Sequence, residues 1–249
     1  MNRSTRRNFL GIAAGLPLAV AGCTTTVDET TDPPGSVGAE PLPFGPGGSF
    51  PPYERMYASV TDGGFTIPAV PYQNIDPRFL RQEVRNTTGE PEGTIVVETG
   101  NHFLYYVLPG GRRAVRYGVG LGRAGFEWSG SAVVGARQRW PKWFPPAEMI
   151  EREPELEKYR GTDLDGDNVW EGGMPPGVMN PLGARALYVY QDGKDTLYRL
   201  HGSPEWNSIG KSVSSGCVRL MNQDIIDLYA RAPLDTPIIV RSAPGFRLI

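Results

Sequence analysis

The chain has 249 residues, 39% of them hydrophobic and 21% charged, with 25 lysines and arginines against 27 acids. A formal net charge of −2 without a Lys/Arg cluster excludes the many phosphate contacts that nucleic-acid binding demands, so no nucleic-acid partner is expected. Two cysteines, Cys23 and Cys217, are too few for a disulfide framework.

At the start of the chain, Thr5-Arg6-Arg7-Asn8-Phe9-Leu10 matches a twin-arginine export signal, and a short apolar run follows from Leu10 to Gly22. A spanning helix needs ~20 apolar residues, more than this Gly- and Pro-containing run supplies. Residues 1–22 therefore read as an address, and the mature protein is expected outside the cytoplasm, in the periplasm. Val20-Ala21-Gly22-Cys23 fits a lipobox, which would make a diacylated Cys23 the new N-terminus, with Thr24 permitting outer-membrane sorting. Ala19-Val20-Ala21 also fits the small-x-small site of ordinary signal peptidase, so two cuts are open. In either case contact with a membrane is expected only through an N-terminal lipid. Without residues 1–22 the chain keeps 22 basic residues against 27 acids and stays mildly acidic.

Residues 23–52 are rich in Thr, Pro and Gly and cannot bury a core, so they read as an extended tether. Residues 53–92 form an N-terminal extension expected to pack on the main domain, with one short helix over Asp76–Val84. From residue 93 to 241 the punctuation is that of a mainly β, sandwich-like domain with a few short helices. Strand-like runs at Thr94–Thr99, Phe103–Leu108, Ala114–Val119 and Ala132–Ala136 are separated by Gly, Asn and Pro turns. A helix is expected over Ala147–Lys158, ending near Pro154, then a Gly/Pro loop from Gly161 to Gly183. Asp192-Gly193 is a hairpin turn between Ala186–Gln191 and Thr196–Gly202, which places His201 near the end of a strand whose partner is fixed. Asn222 is the expected N-cap of a helix through Ala232, and Pro237–Arg241 is the last strand.

The chemistry concentrates between His201 and Arg219. His201-Gly202 is followed sixteen residues after the histidine by Cys217, within Ser214-Ser215-Gly216-Cys217-Val218-Arg219. A thiolate is the nucleophile, and a neighbouring imidazole draws a cysteine below its free pKa of about 8.5. An exported chain with one cysteine beyond Cys23 has no internal disulfide to make, which leaves Cys217 as a thiol. Backbone N–H groups around Ser215, Gly216 and Cys217 can turn toward a developing oxyanion, and Gly216 permits the tight turn this requires. Ser214 is expected to brace the loop by a side-chain to backbone hydrogen bond. Arg219 offers a fork of donors matched to a carboxylate, with an ion pair under the loop as its plainer role.

This joint pattern, His-Gly and then Ser-x-Gly-Cys-x-Arg, resembles the L,D-transpeptidases, or YkuD domain proteins, over roughly Glu92 to Val240. Ser215 stands where many members carry a second histidine. The resemblance implies that Cys217 attacks the carbonyl between the third and fourth residues of a peptidoglycan stem tetrapeptide, with His201 as base. It further implies that the backbone carbonyl of Gly202 holds the other imidazole N–H, and that no cofactor is needed. Tyr117 and Trp128 flank a stretch that recurs in the family, which makes them candidates for the substrate cleft. The acyl acceptor is left open among another stem peptide, an amine of an outer-membrane protein, a free D-amino acid, or water in an L,D-carboxypeptidase. A non-catalytic lipid-tethered wall anchor is the rival from another class.

No metal is expected. Asp163-Leu164-Asp165-Gly166-Asp167-Asn168 looks calcium-like, but its Gly is fourth and not sixth, and Met174 stands at the twelfth position. His102 has no Cys or second His near it in sequence and reads as a surface histidine. All five tryptophans fall between Trp128 and Trp206 and are expected to cover sheet ends as loop packing.

Overall fold

A computed structural model describes residues 50–122, 129–163, 170–214 and 216–241. The export signal, Cys23, most of the tether, Trp128, Ser215 and the acidic run 164–168 lie outside the described residues.

The N-terminal extension begins with helix α1 (Tyr53–Met56) and a hairpin of β1 (Val60–Asp62) and β2 (Phe65–Ile67), turned by Gly63 and Gly64 at positive φ. The helix expected over Asp76–Val84 is not there. Asp76 caps a single 3-10 turn at Pro77–Phe79 by accepting from the Arg78 N–H. From Gln82 the chain extends as β3 (Gln82–Arg85), because the open edge of a later strand supplies a full ladder of backbone partners, which outweighs local helix propensity.

The strands expected from the sequence follow as β4 (Ile95–Glu98), β5 (Phe103–Val107) and β6 (Arg113–Gly118), then the short β7 (Leu121–Gly122) and the ten-residue β8 (Gly130–Arg139). Helix α2 (Ala147–Arg152) gives way at Pro154 to a 3-10 segment, and the expected loop contains a small hairpin of β9 (Gly161–Asp163) and β10 (Trp170–Gly172). Next come β11 (Arg185–Gln191) and β12 (Lys194–Ser203), joined at Asp192-Gly193 with φ 51° and 74°, both left-handed as a tight hairpin with right-handed twist requires. The chain closes with β13 (Ser212–Ser214), β14 (Val218–Met221), α3 (Asn222–Arg231) and β15 (Pro237–Arg241).

Nine of these strands form one sheet in the order β14-β12-β11-β8-β15-β4-β5-β6-β3, parallel only at β12/β14 and β15/β4. The sheet folds over on itself. Its far ends meet where Gly120, just beyond β6, bridges to Arg219 of β14, and where β7 pairs with β13. Leu104 and Tyr117 from one end therefore share a core with Leu187, Leu200, Val218 and Leu220 from the other, with Ile225 and Leu228 of α3 between them. A register shift of β11 against β8 helps the bend. Gly135 lies there, and a Cβ on it would come within 2.1 Å of the Tyr190 ring. The sandwich expected from the sequence is thus two halves of a single curled sheet.

Asn222 opens α3 but does not cap it. Met221 is at the cap, and the Asn222 Oδ1 instead accepts from the Ala184 N–H at 2.9 Å, because the helix start is buried against β11 and β12 and the amide serves the neighbouring loop. A second core joins Met56, Tyr57, Val70, Phe79 and Leu80 of the extension to Ile209 and Met221.

Candidate active site

Along β12, Leu200 faces the main core and His201 the opposite side. His201 is 3% exposed and has Ala186 of β11 beside it on one hand and Arg219 of β14 on the other. In β14 it is Val218 and Leu220 that enter the core. Arg219 belongs to the face that carries His201, and Cys217 stands two residues before it, directly ahead of the strand. The β12/β14 pairing thus sets His201 beside Arg219, two residues along the chain from Cys217.

The imidazole is oriented by its own strand. Its Nδ1 lies 2.6 Å from the carbonyl oxygen of Gly202. A carbonyl only accepts, so Nδ1 carries the proton, and in the neutral ring Nε2 keeps a lone pair. Gly202 is hemmed in from behind. A Cβ there would stand 2.3 Å from Asn222 Oδ1 and 2.9 Å from Ile225 Cγ2, so only glycine lets α3 seat this closely against the strand.

Cys217 is 2% exposed and forms no disulfide. It follows Gly216, whose φ of 126° is open to glycine but not to ordinary side chains. The loop that presents it is anchored upstream through β13: Ser212 is paired with Leu121 and Ser214 with Gly122, and Lys211 accepts from the Leu121 N–H at 2.9 Å. Here His102 enters unexpectedly. It is half-buried, takes a left-handed conformation (φ 58°), and its Nε2 is 3.0 Å from the Ser212 hydroxyl. Burial, with Arg78 adding to it, holds its pKa below the usual imidazole range. A turn histidine 110 residues upstream of Ser212 carries no local signal for this contact.

Arg219 is fixed on both sides of its backbone, by the pairing with His201 and by two hydrogen bonds with Gly120 at 2.8 and 2.9 Å. Its guanidinium Nη1 donates to Glu205 Oε2 at 2.6 Å, and its side chain is 17% exposed. The ion pair is real, and it joins residues fourteen apart through a loop, which no periodicity announces.

Tyr117 is not a cleft residue. It is fully buried in the main core, and its hydroxyl donates to Asp227 Oδ2 at 2.6 Å. Its place at an inward position of β6 gives it no surface to offer a substrate. Trp140 is likewise buried, donating from Nε1 to Asp62 Oδ2 and packed on Phe65, while Trp143 is buried and Trp206 partly so. Among the described residues no group of three or more His, Cys, Asp or Glu is placed to hold a metal ion, and no helix is long and apolar enough to cross a membrane.

The chain has relatives. The probable L,D-transpeptidase YcfS of Escherichia coli (strain K12) is 31% identical over 170 residues, covering 64% of this chain and 49% of the relative. The chain spans about half the length of the curated relatives it matches. Among solved structures, a Brucella melitensis protein described as a probable carnitine operon oxidoreductase is 36% identical, with coverage of 72% of this chain and 98% of that chain and a TM-score of 0.40. An L,D-transpeptidase from Mycobacterium smegmatis is 17% identical at a TM-score of 0.39, covering 74% of this chain and 65% of that chain. The model of the YkuD family, described as the L,D-transpeptidase catalytic domain, matches residues 92–240, more than half of the chain and all of the sheet from β4 to Val240 of β15 apart from the edge strand β3. By that match, which contains both His201 and Cys217, the protein belongs to the YkuD family of L,D-transpeptidase catalytic domains.

Proposed function

We propose that the protein is a cysteine L,D-transpeptidase acting on peptidoglycan stem tetrapeptides through a thioester acyl-enzyme. The observation that carries this reading is the imidazole of His201, tethered through Nδ1 to the Gly202 carbonyl, on a strand paired directly with the one that follows Cys217. His201 Nε2 takes the thiol proton as sulfur adds to the carbonyl joining the third and fourth stem residues. The oxyanion forms against backbone N–H groups at Gly216 and Cys217. Collapse breaks the peptide bond, His201 returns the proton to the departing D-alanine amine, and a thioester remains on Cys217. An amine then attacks the thioester and releases the thiol. That amine belongs to another stem peptide, which gives a cross-link, or to an outer-membrane protein, which gives wall attachment; water in its place gives carboxypeptidase chemistry. Arg219 binds a free carboxylate of the stem peptide. No cofactor enters any step.

In the same reading the twin-arginine signal exports the chain, Cys23 carries the lipid, and residues 23–52 let the periplasmic domain reach the wall from its membrane. The test is D-alanine release from a synthetic stem tetrapeptide. Cys217→Ala and His201→Ala are expected to lower turnover by on the order of 10³ or more while leaving the unfolding midpoint close to that of the unmodified protein. Near-normal turnover by Cys217→Ala would overturn the mechanism.

A further inference from the structure

Glu205 lies four residues beyond His201, just before the 3-10 turn Trp206–Ser208. Its backbone is held at three points. Its N–H donates to Ser203 Oγ at 3.1 Å, and its carbonyl accepts from the Ser208 N–H at 3.0 Å and the Ser208 hydroxyl at 2.7 Å. Ile209, directly after this turn, is locked into the second core with Met56, Phe79 and Leu80, and a Cβ at Gly210 would stand 2.4 Å from the Phe79 ring. From this fixed base the carboxylate of Glu205 reaches the guanidinium of Arg219, itself pinned between His201 and Gly120. The cation on the His201 face of the sheet therefore already holds a carboxylate when no substrate is present.

We propose that Glu205 is an internal occupant of a carboxylate site on Arg219, displaced by the free carboxylate of an incoming anionic stem peptide, so that Arg219 selects for that charge and Glu205 sets how tightly it is bound. The inference rests on the transpeptidase reading above and deepens it. The exchange is non-covalent: one carboxylate leaves the guanidinium donors and another takes its place. Glu205, with 60% of its side chain exposed, is solvated as it swings out, whereas Arg219 at 17% never loses an anionic partner. Exposed ion pairs are weak, so Glu205 yields to a peptide carboxylate that pairs better with Arg219. A peptide lacking the carboxylate has nothing to offer the guanidinium and leaves Glu205 on Arg219.

Steady-state kinetics of the full chain, on a stem tetrapeptide and on the same peptide with its free carboxylates amidated, test this. Glu205→Gln is expected to lower KM for the anionic peptide by about two- to fivefold, the size of a weak exposed pair, with kcat within about twofold and no gain on the amidated peptide. Arg219→Gln is expected to raise KM for the anionic peptide and to erase the preference between the two. An unchanged or raised KM of Glu205→Gln on the anionic peptide, or the same change on both peptides, overturns the inference and leaves Glu205 a brace of the loop. If the unmodified protein releases D-alanine from neither peptide, the transpeptidase reading falls and takes this inference with it, an outcome distinct from failure of the exchange alone.

Discussion

Gly202 combines two demands at one residue. Its carbonyl accepts the His201 Nδ1–H, and its missing side chain admits Asn222 and Ile225 of α3. Gly202→Ala therefore pushes a methyl group into the Asn222 amide and weakens its bond to the Ala184 N–H. The expected result is a loss of about 1–3 kcal/mol, the range for overpacking a filled site. It should be read as a lower denaturation midpoint together with a fall in kcat as the imidazole loses its tether. A variant with normal kcat would show that the carbonyl contact does not orient the base. At this scale the sequence announces reactive residues better than supporting ones. His201 and Cys217, the residues of the proposed mechanism, stand out because few residue types can serve as nucleophile and base and they occur in a motif. The roles of Tyr117 and Asn222 are not legible in the sequence, because a hydroxyl or an amide takes whichever partner packing provides, here Asp227 and the Ala184 N–H.

Among the elements, α3 carries the strongest electrostatics. Asp224 and Asp227 are both buried on it, and Arg81 of the extension lies against them, 3.6 Å from Asp224 Oδ1 and 3.1 Å from Asp227 Oδ1. Burial raises the Asp224 pKa to about 7, with Asp227 adding to the rise and Arg81 opposing it. Asp227 is also pushed upward by burial, but Arg81, Arg231 and the Tyr117 hydroxyl together bring it below the ordinary carboxylate range. The two signs have opposite consequences. Asp224 holds a proton in the folded protein that the unfolded chain has already lost above pH about 4, so its contribution to stability falls as pH rises from about 4 through 7. Asp227 favours the fold above the unfolded carboxylate pKa, and that share is lost only as pH falls through its depressed value. Asp224→Asn is therefore expected to lose less stability than the unmodified protein between pH 4.5 and pH 8, two conditions chosen to bracket the window, roughly, set by linkage. Denaturant titrations at both pH values measure this, and parallel losses in the two proteins would refute it. The apolar face of this helix, Ile225, Ile226, Leu228 and Tyr229, is visible in the sequence. The burial of Asp224 and Asp227 is not visible there, because it depends on the extension, with Tyr57 and Arg81, packing over them.

For the whole molecule, the decisive feature is the curl that brings Gly120 beside Arg219 and β7 beside β13. It closes one core around the ends of a nine-stranded sheet and anchors the cysteine loop from a region nearly a hundred residues earlier in the chain. The extension contributes the edge strand β3 and most of the second core, so it supports the turn that carries Glu205 as well as covering α3. Upstream, the order Val20-Ala21-Gly22-Cys23 after the apolar run leads to an expectation at the scale of the envelope. Mass spectrometry of protein taken from its native membrane should find an acylated N-terminal Cys23, whereas an N-terminus at Gly22 would assign the cut to ordinary signal peptidase.

The sequence by itself determined the spacing of His201 and Cys217, the strand and turn punctuation, and the hairpin at Asp192-Gly193, because residue chemistry and local backbone preference act over a few positions. It also carried the motif that places the chain in its family. The tertiary structure alone decided that Tyr117 is core, that Asp76–Val84 yields a strand in place of a helix, that His102 meets Ser212, and that Arg219 is held by Glu205. Each of those depends on which distant backbone edge or side chain arrives nearby when the sheet curls. Burial and open hydrogen-bonding edges then outweigh the few tenths of a kcal/mol by which local propensities differ, roughly, from one ordinary residue to the next.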